Sequence, residues 1–231
     1  MCVTADALAV PVAALVRRCG APARVASRND GNHFTFLDDG ATVDALVDPD
    51  AAVVRALDIY AESPATIVVA IDGATRTFAF GSYDMMHADA DLAGAADYSF
   101  SDGRAYRLDA GHELVLSFNP ATKKLTRISI GERLTLERMN LLPEQIDRRP
   151  FTYLAPVPKQ MAVSDGSGTH ATVVRVDVDR FGIVRAVTVV VPSDDAAFDA
   201  ALGARLDDDS YEPARLASRP VAASIFRELR H

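Results

Sequence analysis

Five histidines, His33, His87, His112, His170 and His231, are the first residues to test for chemistry. No two stand four apart, the spacing that puts both imidazoles of a zinc site on one helix face. His87-Ala88-Asp89-Ala90-Asp91 offers nitrogen and oxygen donors. Positions i and i+2 of a helix do not share a face, however, so the stretch reads as an exposed acidic helix start. Asp48-Pro49-Asp50 opens like a calcium loop but lacks the glycine of the sixth position and has Ile59 at the twelfth, where a bidentate glutamate is required. It reads as a turn. Gly166-Ser167-Gly168-Thr169-His170 sets a hydroxyl near an imidazole, yet no strand precedes it and no helix follows, as a nucleophile elbow demands. Cys19 falls where a helix ends, and that end of the helix dipole raises a thiol's pKa when a nucleophile needs it lowered. Glycine-rich phosphate loops are absent from the sequence. These residues predict no catalytic group, no metal ligand and no cofactor, and the expectation is a non-enzymatic protein.

Composition narrows the class further. Of 231 residues, 49% are apolar and 24% charged, the balance of an ordinary folded protein. With 24 Lys and Arg against 32 Asp and Glu, the net charge of -8 repels a phosphate backbone, so nucleic acid is not an expected partner. The longest apolar run, Ala7 to Val16, is half of the roughly 20 residues that a membrane-spanning helix needs. Asp6 precedes it with no Lys or Arg, unlike an export signal, so it reads as a domain helix. Cys2 and Cys19 are too few for a disulfide framework, although one bridge across a short loop is open to them.

The elements follow from periodicity. Pro11 suits a helix start and Gly20-Ala21-Pro22 an abrupt stop, which predicts a helix over 12–19. Period-two segments then follow: 33–37, then Val43, Ala45 and Val47 up to Asp48-Pro49-Asp50, then 53–60. The grammar returns with a helix expected over 88–96 and strands over 105–108, 114–118 and 125–130. Val43, Ala45 and Val47 match Leu114, Leu116 and Phe118 at a constant offset, which predicts two α-β-β-β repeats over 1–62 and 63–142. The second opens with a hairpin turned at Asp72-Gly73. Pro143, Pro150, Pro156 and Pro158 then mark 143–168 as a linker.

From 169 to 231 the pattern is strand, turn, strand, helix, strand. Val174, Val176 and Val178 alternate, Asp179 and Gly182 bound a turn, and Val184 to Val191 returns. Ser193 or Asp194 can cap a helix carrying Phe198, Ala201, Leu202 and Leu206 at helical spacing. Tyr211-Glu212-Pro213-Ala214 crosses over, and Val221 to Leu229 supplies the last strand. In this order, with Phe198-Asp199-Ala200-Ala201-Leu202, Pro220-Val221 and Phe226, the stretch resembles the C-terminal domain of TonB-type energy transducers. Asp194-Asp195 and Ser218-Arg219 depart from that pattern, and the membrane helix and long proline-rich spacer of a transducer are absent. The helix closing on Arg18-Cys19-Gly20-Ala21-Pro22 with its three strands faintly resembles SmpA/BamE-type envelope modules.

The combined expectation is an α+β chain with two α-β-β-β repeats and a small ββαβ domain with an antiparallel sheet. The resemblance implies an extracytoplasmic, periplasmic envelope protein, linked to TonB-dependent transport, that contacts protein by sheet-edge pairing, for instance with an extended segment of an outer-membrane receptor. The last strand must arrive at an edge unless it inserts into the hairpin. Val221, Ala222, Ala223, Ser224, Ile225, Phe226 and Arg227 are therefore the expected partner-binding residues. A hydrolase-type enzyme with its site in the repeats, or an inhibitor-like binding surface there, are the alternatives.

Overall fold

The computed structural model describes residues 8–38, 40–48, 50–61, 64–71, 74–92, 96–139, 141, 153–161, 168 and 170–230. In chain order the elements are α1 (Val12–Cys19), β1 (Arg24–Arg28), β2 (Gly31–Asp38), β3 (Ala41–Val47), β4 (Val54–Ala61), β5 (Thr66–Ile71), β6 (Ala74–Ala79), α2 (Met85–Asp91), β7 (Ala96–Phe100), β8 (Gly103–Arg107), β9 (His112–Phe118), β10 (Leu125–Glu132) and α3 (Arg133–Arg138). They continue with β11 (Tyr153–Leu154), β12 (Val157–Gln160), β13 (Ala171–Val178), β14 (Val184–Val191), α4 (Ala196–Leu206), β15 (Ser210–Glu212), β16 (Ala214–Leu216), β17 (Arg219–Val221) and β18 (Ala223–Arg230). No helix among the described residues is long and apolar enough to cross a membrane.

The expected α+β class of two α-β-β-β repeats and a separate ββαβ domain is overturned. Among the described residues the chain is predominantly antiparallel sheet, with short helices laid against it. The first supposed repeat holds four strands and the second six; β5 and β6 pair with each other, and the other eight join one sheet in the order β1-β2-β3-β4-β10-β9-β8-β7. The order is mirrored about the β4–β10 pair, where Ile128 faces Ile59 and Ser129 faces Asp58. The missing strands were β1, Arg24-Val25-Ala26-Ser27-Arg28, and β7, Ala96-Asp97-Tyr98-Ser99-Phe100. The small and polar centre of β1 carries little strand propensity of its own, so its pairing with β2 decides its conformation.

By internal contacts the chain divides into two compact units that do not follow the sequence boundaries expected at 62, 142 and 168. One takes Met1–Val10, Thr35–Leu46 and Val54–Arg149; the other takes Pro11–Phe34, Val47–Val53 and Pro150–His231. In the first, Leu136 and Leu141 close over Leu46, Ala56, Ala105 and Val115 on one sheet face. Beyond that cover, on the same central strands, Asp58 is buried and takes a bidentate pair from Arg127 (2.6 Å to each oxygen) and a hydrogen bond from Ser129 Oγ (2.9 Å). Gly131 of β10 lies so close to β4 that a Cβ would stand 2.6 Å from that of Ala56.

In the second unit, α4 packs Leu202 and Leu206 on Val174, Val176 and Val178 of β13 and Ile225 and Leu229 of β18. Asp195, not Ser193 or Asp194, caps α4 by accepting from Ala197 N and Phe198 N (3.0 Å each). α1 spans the expected Val12–Cys19, burying Val12, Leu15 and Val16, and stops at Gly20 with φ 82°. Cys19 is disulfide-bonded. Cys2, the Asp72-Gly73 turn, the linker residues 143–152 and 162–167, and His231 lie outside the described residues.

The turn between β13 and β14 depends on Gly182, whose φ is +84° and whose missing Cβ would sit 1.9 Å from the Tyr211 carbonyl oxygen. Tyr211 N in turn donates to Gly182 O at 2.9 Å. Gly182→Ala should therefore lower stability by about 2–3 kcal/mol in urea titration, combining overpacking with positive-φ strain. An unchanged unfolding midpoint would contradict this account of the turn.

Candidate protein-binding edges

The three-stranded sheet of the second unit has the order β14-β13-β18. β13 is central, paired with β14 through Val176↔Val187 and Val174↔Val189, and with β18 through Val176↔Ile225 and Val174↔Arg227. The final strand thus joins the first strand of the hairpin, and the sheet retains two edges, β18 and β14.

The residues expected to bind a partner separate on this frame. Val221 belongs to β17 and pairs with Ala214, and Ala222 lies between strands. Ala223, Ser224, Ile225, Phe226 and Arg227 are in β18, with Ile225, Phe226 and Arg227 buried. The open edge expected over these residues is corrected: β1 lies against β18, and side chains of β1 and β2 engage two of its outward main-chain groups. Phe226 N donates to Ser27 Oγ at 3.3 Å, and the Ser224 carbonyl accepts from Asn32 Nδ2 at 3.5 Å. Ser27 Oγ itself donates to Asn32 Oδ1, and Ser224 Oγ donates to Asp177 Oδ1 at 2.7 Å. The Phe34 and Phe226 rings meet edge to face with centroids 5.3 Å apart. Sequence reasoning missed this cover because β1 itself was not recognised.

Farther along, β1 and β18 leave a cleft of about 340 Å³ lined by Arg24, Ser27, Pro156, Met161, Phe226 and Glu228 among others. The Arg227 guanidinium does not serve it. Its Nη1 donates to Asp209 (2.5 Å) and reaches Tyr211 Oη (3.4 Å), and the Asp209 side chain is wholly buried.

The other edge, β14, has a different character. Ser224 O and Phe226 N point away from β13, so in an antiparallel ladder the main chain of Val174 and Val176 turns toward β18 and that of Arg175 and Asp177 toward β14. Arg175 pairs with Thr188 and Asp177 with Ala186, which makes these the hydrogen-bonded partners in β14. Val187 and Val189, opposite Val176 and Val174, then present N–H and C=O outward along the edge. No strand pairs with them among the described residues. Between Ala186 and Val191 there is no charge and no proline, the usual guards of an edge. Ala186 and Thr188 are exposed, and Val187 and Val189 half-buried. Arg185, at the start of the strand, is held by Asp179 Oδ2 at 2.6 and 2.8 Å.

The polar residues singled out in the sequence do not converge. His87 Nδ1 meets Asp84 (2.7 Å), Asp89 takes Arg104 (2.6 and 2.9 Å), and Asp91 accepts from Tyr83 Oη (3.2 Å). Asp48 Oδ1 accepts from Asp50 N and Ala51 N, the geometry of a turn. His112 pairs with Asp109 and His170 with Asp194. No group of three or more His, Cys, Asp or Glu among the described residues could hold a metal ion.

No protein-family model matches the chain, and no curated protein matches it. Two solved structures are similar to it in part. A cysteine-rich secretory protein from Staphylococcus aureus subsp. aureus Mu50 is 11% identical at a TM-score of 0.37, covering 57% of this chain and 47% of its own. An extracellular protein containing a SCP domain from Bacillus anthracis str. Ames is 12% identical at a TM-score of 0.45, covering 60% and 49%. The chain spans about half the length of these two proteins. At these scores neither likeness bears on its fold or its activity.

The Arg227–Asp209 pair yields a test of the inward-facing assignment. Arg227→Met should cost about 3 kcal/mol by stranding a buried carboxylate, and adding Asp209→Leu should recover most of it. Urea titration reads both, and a surface-facing Arg227 would show neither effect.

Proposed function

We propose that this chain is a non-enzymatic protein-binding module that takes an extended protein segment onto β14 by main-chain pairing. The observation that carries the reading is the outward main chain of Val187 and Val189 on an edge with no charge or proline from Ala186 to Val191. Such an edge is a template for strand addition: main-chain hydrogen bonds supply affinity and the alternating side chains supply selectivity. The reading keeps the sheet-edge mode expected from the sequence and moves it from β18, which β1 covers, to β14. The disulfide at Cys19 supports an extracytoplasmic, oxidising location.

The test uses a fluorescent eight-residue peptide of alternating Thr and Val, with protein at nanomolar concentration so that self-association does not compete. Binding is expected. Val189→Pro removes an outward N–H without breaking the ladder to β13, and should weaken binding at least about tenfold, or 1.4 kcal/mol. Thr188→Pro breaks the ladder itself and should destabilise the fold. Absence of binding, or equal binding by folded Val189→Pro protein, would overturn the proposal.

A further inference from the structure

We infer that the occupant of the β14 edge is a second copy of this chain, paired antiparallel about a two-fold axis at Thr188; this rests on the edge-pairing reading above. The pattern of the strand is self-complementary. Centring the axis on Thr188 puts Val187 of one copy opposite Val189 of the other, so the residues whose main chain points outward meet each other. Each such pair exchanges both N–H···O bonds, and the symmetry repeats the exchange. Displacing the register by a single residue would set outward groups against inward ones and forfeit those bonds.

The side chains agree. No charge lies between Ala186 and Val191, so no like charges face each other along the paired stretch. The strand is basic at its start, Arg185, and acidic beyond its end, Asp194 and Asp195 past Pro192. Antiparallel pairing brings each copy's basic end toward the acidic end of the other. The Arg185 and Asp194 side chains are paired within the chain, with Asp179 and His170, yet are 61% and 70% exposed, so a facing charge would join an existing pair. The two Thr188 side chains, exposed in the single chain, become direct cross-strand neighbours. The product joins two three-stranded sheets into one and leaves neither β14 edge open.

Sedimentation equilibrium of the full chain across nanomolar to high micromolar concentration is expected to reach twice the 24.7 kDa of one chain. Thr188→Lys and Thr188→Glu should each remain monomeric, because like charges then meet at the axis, while retaining the unfolding midpoint that the unaltered protein shows at nanomolar concentration, below its dimerisation range. Mixing the two should restore the dimer mass, a result that no pairing away from the Thr188 axis predicts. A chain that stays monomeric throughout, or Lys and Glu variants that dimerise separately as well as together, would overturn the inference. If the chain is monomeric and the Thr-Val peptide still binds in a Val189-dependent way, the second-copy inference fails while the edge-pairing proposal stands. If the peptide does not bind and Val189→Pro leaves the dimer intact, both fail.

Discussion

The double pairing of β13 is the constraint from which the binding surfaces of this protein follow. A strand has two sides, and β13 spends both, one on β14 and one on β18. Because an antiparallel ladder alternates, the direction of one main-chain group on β18 dictates the direction of the groups across to β14 between its two register shifts, opposite Val174 to Asp177. Ser224 and Phe226 turn outward on β18, so Val187 and Val189 turn outward on β14. Had β18 joined β14 instead, the valine-rich strand would be internal and β13 would form the edge.

The two edges are managed in opposite ways. At β18, Ser27 and Asn32 present side-chain groups to a main-chain donor and a main-chain acceptor, and the Phe34–Phe226 contact closes the apolar side. Side-chain caps of this kind satisfy the edge without completing a ladder, which leaves room beside them for the cleft toward Arg24 and Glu228. At β14 no strand pairs with the outward main chain among the described residues, and Arg185, at the start of the strand, is held by Asp179. An edge with no paired strand among the described residues, next to a capped one in the same small sheet, is the physical basis for reading β14 as a contact surface.

Charge in this chain is deployed mostly for architecture. The Asp58–Arg127–Ser129 group lies at the mirror pair of the large sheet, and Arg227–Asp209 lies on the face of the small sheet that α4 covers, each with a buried carboxylate held by a guanidinium. Removing one member of such a pair costs far more than the pair itself contributes, because the remaining charge stays desolvated. The four described histidines are likewise spent on nearby acids: His33 on Asp30 (3.1 Å), His87 on Asp84, His112 on Asp109 and His170 on Asp194. Asp30 shows the balance. Burial pushes its carboxyl up, but the hydrogen bond and charge of His33, with a backbone hydrogen bond and the charge of Arg28, together hold it below the usual range.

Local chemistry determined the parts of this protein that a short window can specify. Pro11 and Gly20 bound α1, the alternation in Val174 to Val178 and Leu114 to Phe118 made strands, and Asp179 with Gly182 made a turn. In each, the residue's own backbone preference and its two-residue or 3.6-residue period act over a few positions. β1 and β7 escaped that reading, and so did the merger of the supposed repeats into one sheet, because strand pairing joins residues that are distant in sequence. The candidate site divided in the same way. That a sheet edge would be offered was legible from an odd last strand after a hairpin. Which edge stays open was not, since it depends on β18 choosing β13 and on β1, some two hundred residues earlier in the chain, supplying Ser27 to Phe226. Period two tells a strand which residues share a face; only the partner on each side tells it which of its hydrogen bonds remain unmade.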